Sequence, residues 1–293
     1  MSHRELFVHS FSMLVFSLVV AHPLEPLMAQ FCPALEPMTD SVALLDQAEE
    51  QRVKALIDEL KDSEYERTQE IMKELKAAPE YSIPALTEVM KTETSAVVLS
   101  RSAMALSQMG KRALPALIEL SDSALPSETR VKAVWAMGQM GGQASSAVSY
   151  LKIKALVDED REIRIQAATT LGQIGSKAES AISELMAIYS GTDHELTARA
   201  LYSLGGIRRR PEMVIPFLIE ATTHGNVSVR DSAARALGEF GVQAESALPA
   251  LKKLAQADPN DDVRADAQMA YNKITERLAE RKRGLGLQPM PVE

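Results

Sequence analysis

Between Ile163 and Ile174 the apolar and small residues stand at Ile163, Ala167, Thr170, Leu171 and Ile174, with polar residues between them. Steps of 4, 3, 1 and 3 gather on one side of a helix. The same spacing returns at Val229, Ala233, Ala236, Leu237 and Phe240. The similarity extends past the helix: "LGQIGSKAESAISEL" begins at Leu171 and "LGEFGVQAESALPAL" at Leu237. Aligned on a glycine, "ALSQMG" ends at Gly110, "AMGQMG" at Gly141 and "TLGQIG" at Gly175. "LYSLGG" then carries Gly205 in register, and "LGEFG" ends at Gly241. The steps are 31, 34, 30 and 36 residues. Copies without the glycine flank the set, "KELKAAP" around Leu75 and "AYNKIT" near the C-terminus. A period in the thirties predicts a solenoid of helix pairs, since one unit cannot bury its apolar side alone.

Each copy has the same internal order. We call the helix that carries the reference leucine the leucine helix. Seven residues before that leucine comes an arginine: Arg130, Arg164, Arg230 and Arg264. Alanine at two of the five inward positions lets neighbouring helices come close. The glycine ends the helix, because a left-handed residue costs glycine least. A partner helix follows, with Pro84, Pro115, Pro216 or Pro249 expected in its first turn, where an N–H has no helical acceptor.

"DEDREIRIQAATTLGQIGSKAESAISEL" and "NVSVRDSAARALGEFGVQAESALPAL" resemble HEAT repeats of the phycobilisome-lyase-like type. The resemblance spans roughly residues 50–280 and implies an all-α fold, a right-handed α-α superhelix of the armadillo/HEAT type with about seven helix pairs. It implies no particular activity. The arginine column reads as a structural ladder, each guanidinium bonding a carboxylate or carbonyl at the preceding helix end. Asp158 and Asp258, six residues ahead of Arg164 and Arg264, are the expected acceptors.

Composition agrees. Hydrophobic residues are 46% of the 293, but aromatics only 4%, which suits thin, closely packed helices. With 40 acidic and 32 basic residues the net charge is −8, which argues against a nucleic-acid partner. The single cysteine, Cys32, excludes an intrachain disulfide framework and cysteine zinc clusters. Phe31 beside it does not fit a lipoprotein box. The run "FSMLVFSLVVA" has the length of a secretory core and is too short to cross a bilayer. Residues 1–29 are therefore expected to be an export signal cut after Ala21 or Ala29, with no membrane span afterwards. The protein would then be periplasmic or extracellular. An amphipathic N-terminal segment, or a true start at Met28 and a cytoplasmic protein, are the alternatives. Residues 30–49 read as an irregular proline-rich lead, 50–281 as the solenoid and 282–293 as a flexible tail.

No catalytic constellation is visible: no Gly-rich phosphate loop, GxSxG or HExxH. Outside the N-terminal segment only His194 and His224 remain, in different repeats, so neither a metal site nor a cofactor is expected. His194-Glu195 resembles one of the His-Glu pairs with which deoxyhypusine hydroxylases hold iron. That family uses several pairs, and here His194 stands at the arginine position itself. Asp193 as a helix N-cap is the simpler reading. A bilin lyase is the other enzymatic alternative. HEAT-like DNA glycosylases need a basic groove that this chain lacks.

The positions two before and two after the reference leucine face away from the core. The first column reads Met104, Trp135, Thr169, Arg199, Arg235, Met269, and the second Gln108, Gln139, Gln173, Ser203, Glu239, Lys273. These ridges are expected on the concave surface with which solenoids bind. They hold three cations against one anion, and tryptophan and arginine are favoured in hot spots. Trp135, Arg199, Arg235 and Met104 are thus the candidate contacts for a protein partner, with Arg208, Arg209 and Arg210 forming a basic loop beside them. The expected role is a non-enzymatic scaffold, with self-association as a further option.

Overall fold

The computed structural model describes residues 36–122 and 124–284. The chain falls into two compact units, Met1–Lys54 and Ala55–Glu293. The expected signal, Met28, Cys32 and the last nine residues lie outside the described residues. What is described of the first unit is the start of helix α1 (Glu36–Asp62). Residues 36–49, expected to be irregular, are therefore helical. Pro37 stands second in the helix, where its missing N–H is harmless, and no proline or glycine follows before Asp62.

Among the described residues the second unit holds the end of α1 and thirteen more α-helices. They are α2 (Tyr65–Ala77), α3 (Pro79–Thr92), α4 (Ala96–Gln108), α5 (Leu114–Leu120), α6 (Ser127–Gln139), α7 (Val148–Ile153) and α8 (Arg161–Ile174). After these come α9 (Ile182–Ala187), α10 (His194–Ile207), α11 (Pro211–Ala221), α12 (Val227–Phe240), α13 (Leu248–Ala257) and α14 (Asp261–Gly284). The fold is all-α, a solenoid of helix pairs. From α4 to α14 each leucine helix bears an even number and packs on the next, with the odd-numbered partner helices in a second layer. Leu106, Met137, Leu171, Leu204 and Leu237 form one row of this core and are at most 1% exposed. Burying each such side chain contributes about 1.5–3 kcal/mol. No described helix is long and apolar enough to cross a membrane.

Leucine helices end as the glycines predict in four copies. Gly110, Gly141, Gly175 and Gly241 all have positive φ, from +53° to +73°. The fourth copy departs from this. Helix α10 runs through Gly205 to Ile207, and the left-handed residue that ends it is Arg208, at φ +50°. The register is therefore three residues later than the glycine alignment placed it. Gly175, Arg208 and Gly241 are 33 apart, and so are Leu171, Leu204 and Leu237. Gly205 serves close approach instead: a Cβ there would lie 2.7 Å from the Ala236 Cα on α12. The N-caps follow the corrected register. Asp160, Asp193, Asn226 and Asn260 each accept an N–H of the first turn with their side chains.

After Gly141, Gly175 and Gly241 the chain makes 3-10 turns over 141–147, 175–181 and 241–247. Each turn buries two alanines fully, Ala144 and Ala147 in the first. Pro115 and Pro249 stand second in α5 and α13, as expected. Pro84 and Pro216 lie deeper, inside α3 and α11, because those helices begin earlier on prolines of their own, Pro79 and Pro211.

The arginine ladder is present and is structural. Arg164 donates to the carbonyls of Asp158 and Glu159, and Arg264 to that of Asp258. The carboxylates of Asp158 and Asp258 serve the preceding rung instead, pairing with Arg130 and Arg230. Each of these aspartates thus ties one repeat to the next. Arg230 and Asp258 form a bidentate pair at 2.7 and 2.9 Å, and Arg230 also holds the carbonyls of His224 and Gly225. In the corrected register the missing rung is Thr197, whose hydroxyl donates to the Asp193 carbonyl.

Candidate functional site

An opening in the second unit lies across the starts of three successive leucine helices, α10, α12 and α14. It is a groove of about 830 Å³. Asp193, Asn226 and Asn260 start the three helices side by side, so their first two turns form its walls. Arg199 and Tyr202 come from α10, Val227, Asp231 and Arg235 from α12, and Asp262 and Asp266 from α14.

Two of the predicted contacts, Arg199 and Arg235, meet in this groove; Trp135 and Met104 do not line it. Both of those are half-buried, on α6 and α4. The corrected register explains the mixture. The residue level with Trp135, Thr169, Arg235 and Met269 is Tyr202, with Arg199 one turn earlier. Tyr202 is 46% exposed, and the Arg235 guanidinium lies over its ring, 5.4 Å from the centroid. Ser203, expected on a solvent ridge, is buried against Gly172 of α8. Arg208, Arg209 and Arg210 stay exposed outside the groove. Arg210 donates to Glu179 at 3.1 Å, and Arg209 lies 3.8 Å from the same carboxylate.

The cationic character expected from the two columns does not survive in three dimensions. Lys273 is paired with Glu239 at 2.6 Å. Arg235 stands between Asp231 and Asp266, 3.8 and 3.9 Å from their oxygens. Those carboxylates come from positions outside both columns, so a reading of two ridges omits them. Asp231 is the unusual group. Burial, together with the hydrogen bond and charge of Asp266 facing it, pushes its carboxyl up to about 6, against the pull of Arg235. Its Oδ1 is buried with no hydrogen-bond partner.

Asp193 caps α10, accepting the Leu196 N–H, and its carboxylate is held below the usual range first of all by Arg161. His194 and His224, assigned to separate repeats, meet edge to face, with ring centroids 5.3 Å apart. The Nδ1 of His224 accepts the Asn226 N–H. Among the described residues no three His, Cys, Asp or Glu side chains converge as a metal site.

No curated protein matches the chain. Among solved structures it is similar to a designed armadillo repeat protein in complex with the peptide (KR)4. Identity there is 20% and the TM-score 0.47, over 75% of this chain and 98% of that one. It is also similar to a HEAT-like repeats protein from the archaeon Thermococcus onnurineus NA1, at 12% identity and TM-score 0.47, over 77% and 98%. The complex of CpcE and CpcF of phycocyanin lyase from Nostoc sp. PCC7120 matches at 19% identity and TM-score 0.37, over 66% and 98%. The family described as HEAT repeats matches residues 114–205 and 182–272. Those two stretches overlap over residues 182–205 and together cover more than half of the chain, a stretch that carries three of the four glycine caps and the arginine ladder, and the chain belongs to the HEAT-repeat family.

Proposed function

We propose that this chain is a non-enzymatic scaffold that holds a protein partner on the face of its leucine helices, with the groove across α10, α12 and α14 as the contact. The groove is the observation that carries the reading. Three helix starts in register leave an open channel on the leucine-helix side of the stack, and solenoids bind partners along one continuous surface of stacked repeats. Its walls offer an exposed tyrosine and two arginines, residue types favoured in binding hot spots. The side chains there suit the recognition of an extended segment more than the closure around a small molecule. A crosslinking capture from native cells tests this, with wild type compared with a Tyr202→Ala/Val227→Ala variant of equal helicity. Loss of a specific partner by the variant is expected; retention of every partner would move the contact away from the groove.

A further inference from the structure

We infer that the groove takes a basic extended segment of the partner, with one lysine or arginine side chain lodged against Asp231 and Asp266 and its aliphatic stem along Tyr202. This rests on the scaffold reading above and deepens it.

The repeat itself marks Asp231 as exceptional. The residue after the ladder position is Ser100, Val131, Ile165, Ala198 and Ala265 in the other aligned repeats, and Asp231 here. Ile165 and Ala198 are buried, Val131 is half-buried, and Ala265 on the last helix is exposed. Stacking calls for an apolar or small residue, and this one repeat departs from the rule at the wall of the groove. Such local departures concentrate at functional positions.

The chain also leaves this carboxylate pair undercompensated. At Arg230 and Asp258 the same two residue types make a close, buried pair at 2.7 and 2.9 Å. In the groove, Arg235 is drawn over Tyr202 and stays 3.8 and 3.9 Å from Asp231 and Asp266, beyond hydrogen-bond reach. A facing pair of carboxylates is thus open to a closer cation than the chain supplies.

The remaining surroundings select the sign and shape of the occupant. Three carboxylates of the groove, Asp231, Asp262 and Asp266, stand against two guanidiniums, Arg199 and Arg235, while the fourth, Glu195, is paired with Arg161. An acidic segment would add like charge to that lining, whereas a basic one complements it. Tyr202 and Val227, 46% and 41% exposed, give flat apolar surface on which the stem of a lysine or arginine rests while its head reaches the carboxylates.

Fluorescence anisotropy with two short labelled peptides, one rich in Lys and Arg and the other in Glu and Asp, tests the inference on the full-length protein. The variants are Asp231→Ile, which installs the residue of a sister repeat and so keeps the fold, and Asp266→Ser. Wild type should bind the basic peptide and not the acidic one, and each variant should bind it about tenfold more weakly or worse. Unchanged affinity in both variants, equal binding of the acidic peptide, or no binding of the basic peptide would overturn the inference. If Tyr202→Ala/Val227→Ala abolishes partner capture while the basic peptide fails to bind, the scaffold reading stands and this inference alone falls. If capture is untouched by that variant, the scaffold reading falls first.

Discussion

Replacing Asp258 by alanine removes the acceptor of the best-formed rung in the ladder. The Asp258 side chain is 2% exposed and that of Arg230 10%. The carboxylate accepts from Arg230 Nε at 2.7 Å, from Arg230 Nη2 at 2.9 Å and from the Asn260 N–H at 2.9 Å. Without it the guanidinium remains buried with only the carbonyls of His224 and Gly225. Breaking a buried pair from one side costs about 3–5 kcal/mol, and those two remaining bonds place this case at the lower end, about 3 kcal/mol. For a unit of this size that lowers the thermal midpoint by roughly 6–12 °C, read by far-UV circular dichroism. A double variant, Arg230→Met with Asp258→Leu, should recover most of the loss, because it leaves no charge stranded. Glu59→Ala is the control: it removes a bidentate pair with Arg67, at 2.7 and 2.9 Å, that is open to water, and should move the midpoint far less than Asp258→Ala does. A melt of Asp258→Ala matching wild type would refute the reasoning. So would a double variant as damaged as the single one, since the loss would then lie in packing rather than in uncompensated charge.

Three further outcomes follow from the same geometry. Gly205→Val should cost about 2–3 kcal/mol or prevent folding, because its Cβ would meet the α12 backbone 2.7 Å away. Gly225→Ala, with nothing within 4 Å, should stay within about 0.5 kcal/mol of wild type in urea unfolding. Arg208→Val should lose about 1–2 kcal/mol by placing a β-branched residue at φ +50°, while Arg208→Gly should not, as paired denaturation curves would reveal. Asp231, whose carboxyl stands at about 6 against 3.8, keeps a proton in the folded state that the unfolded chain releases. Its contribution to stability is therefore full below about pH 4 and is lost as pH rises through about 6. Two units are worth about 3 kcal/mol at full value, and roughly half of that in a groove open to water. Asp231→Asn should thus gain about 1 kcal/mol over wild type at about pH 7.5 and nothing at about pH 4; an equal difference at both pH values would contradict this.

The fold was legible because the repeat is written several times. Leucine spacing, glycine caps and the arginine column each point to the same helix pairs, and a single degenerate copy cannot hide them. The one error of register arose where those signals separate. Gly205 has the look of a cap but is consumed by the approach of α12, and an arginine takes the left-handed turn. That slip put Arg199 in the column of Trp135 and concealed Tyr202. The N-cap spacing of Asp193 and Asn226 from Asp160 held the correction, since each lies 33 residues from the last. The groove was only half legible. Arg199 and Arg235 lie in it, but its carboxylates lie off the ridges and become visible only when adjacent helices are stacked. The meeting of His194 and His224 is of the same kind, set by packing between repeats rather than by spacing within one.

The central claim is that the leucine-helix groove holds a protein partner, and crosslinking capture with paired variants tests it most directly. Wild type, Tyr202→Ala/Val227→Ala in the groove and Arg209→Glu/Arg210→Glu on the exposed loop would be compared at equal helicity. The account predicts a partner retained by the loop variant and lost by the groove variant. A partner retained by the groove variant and lost by the loop variant would contradict it.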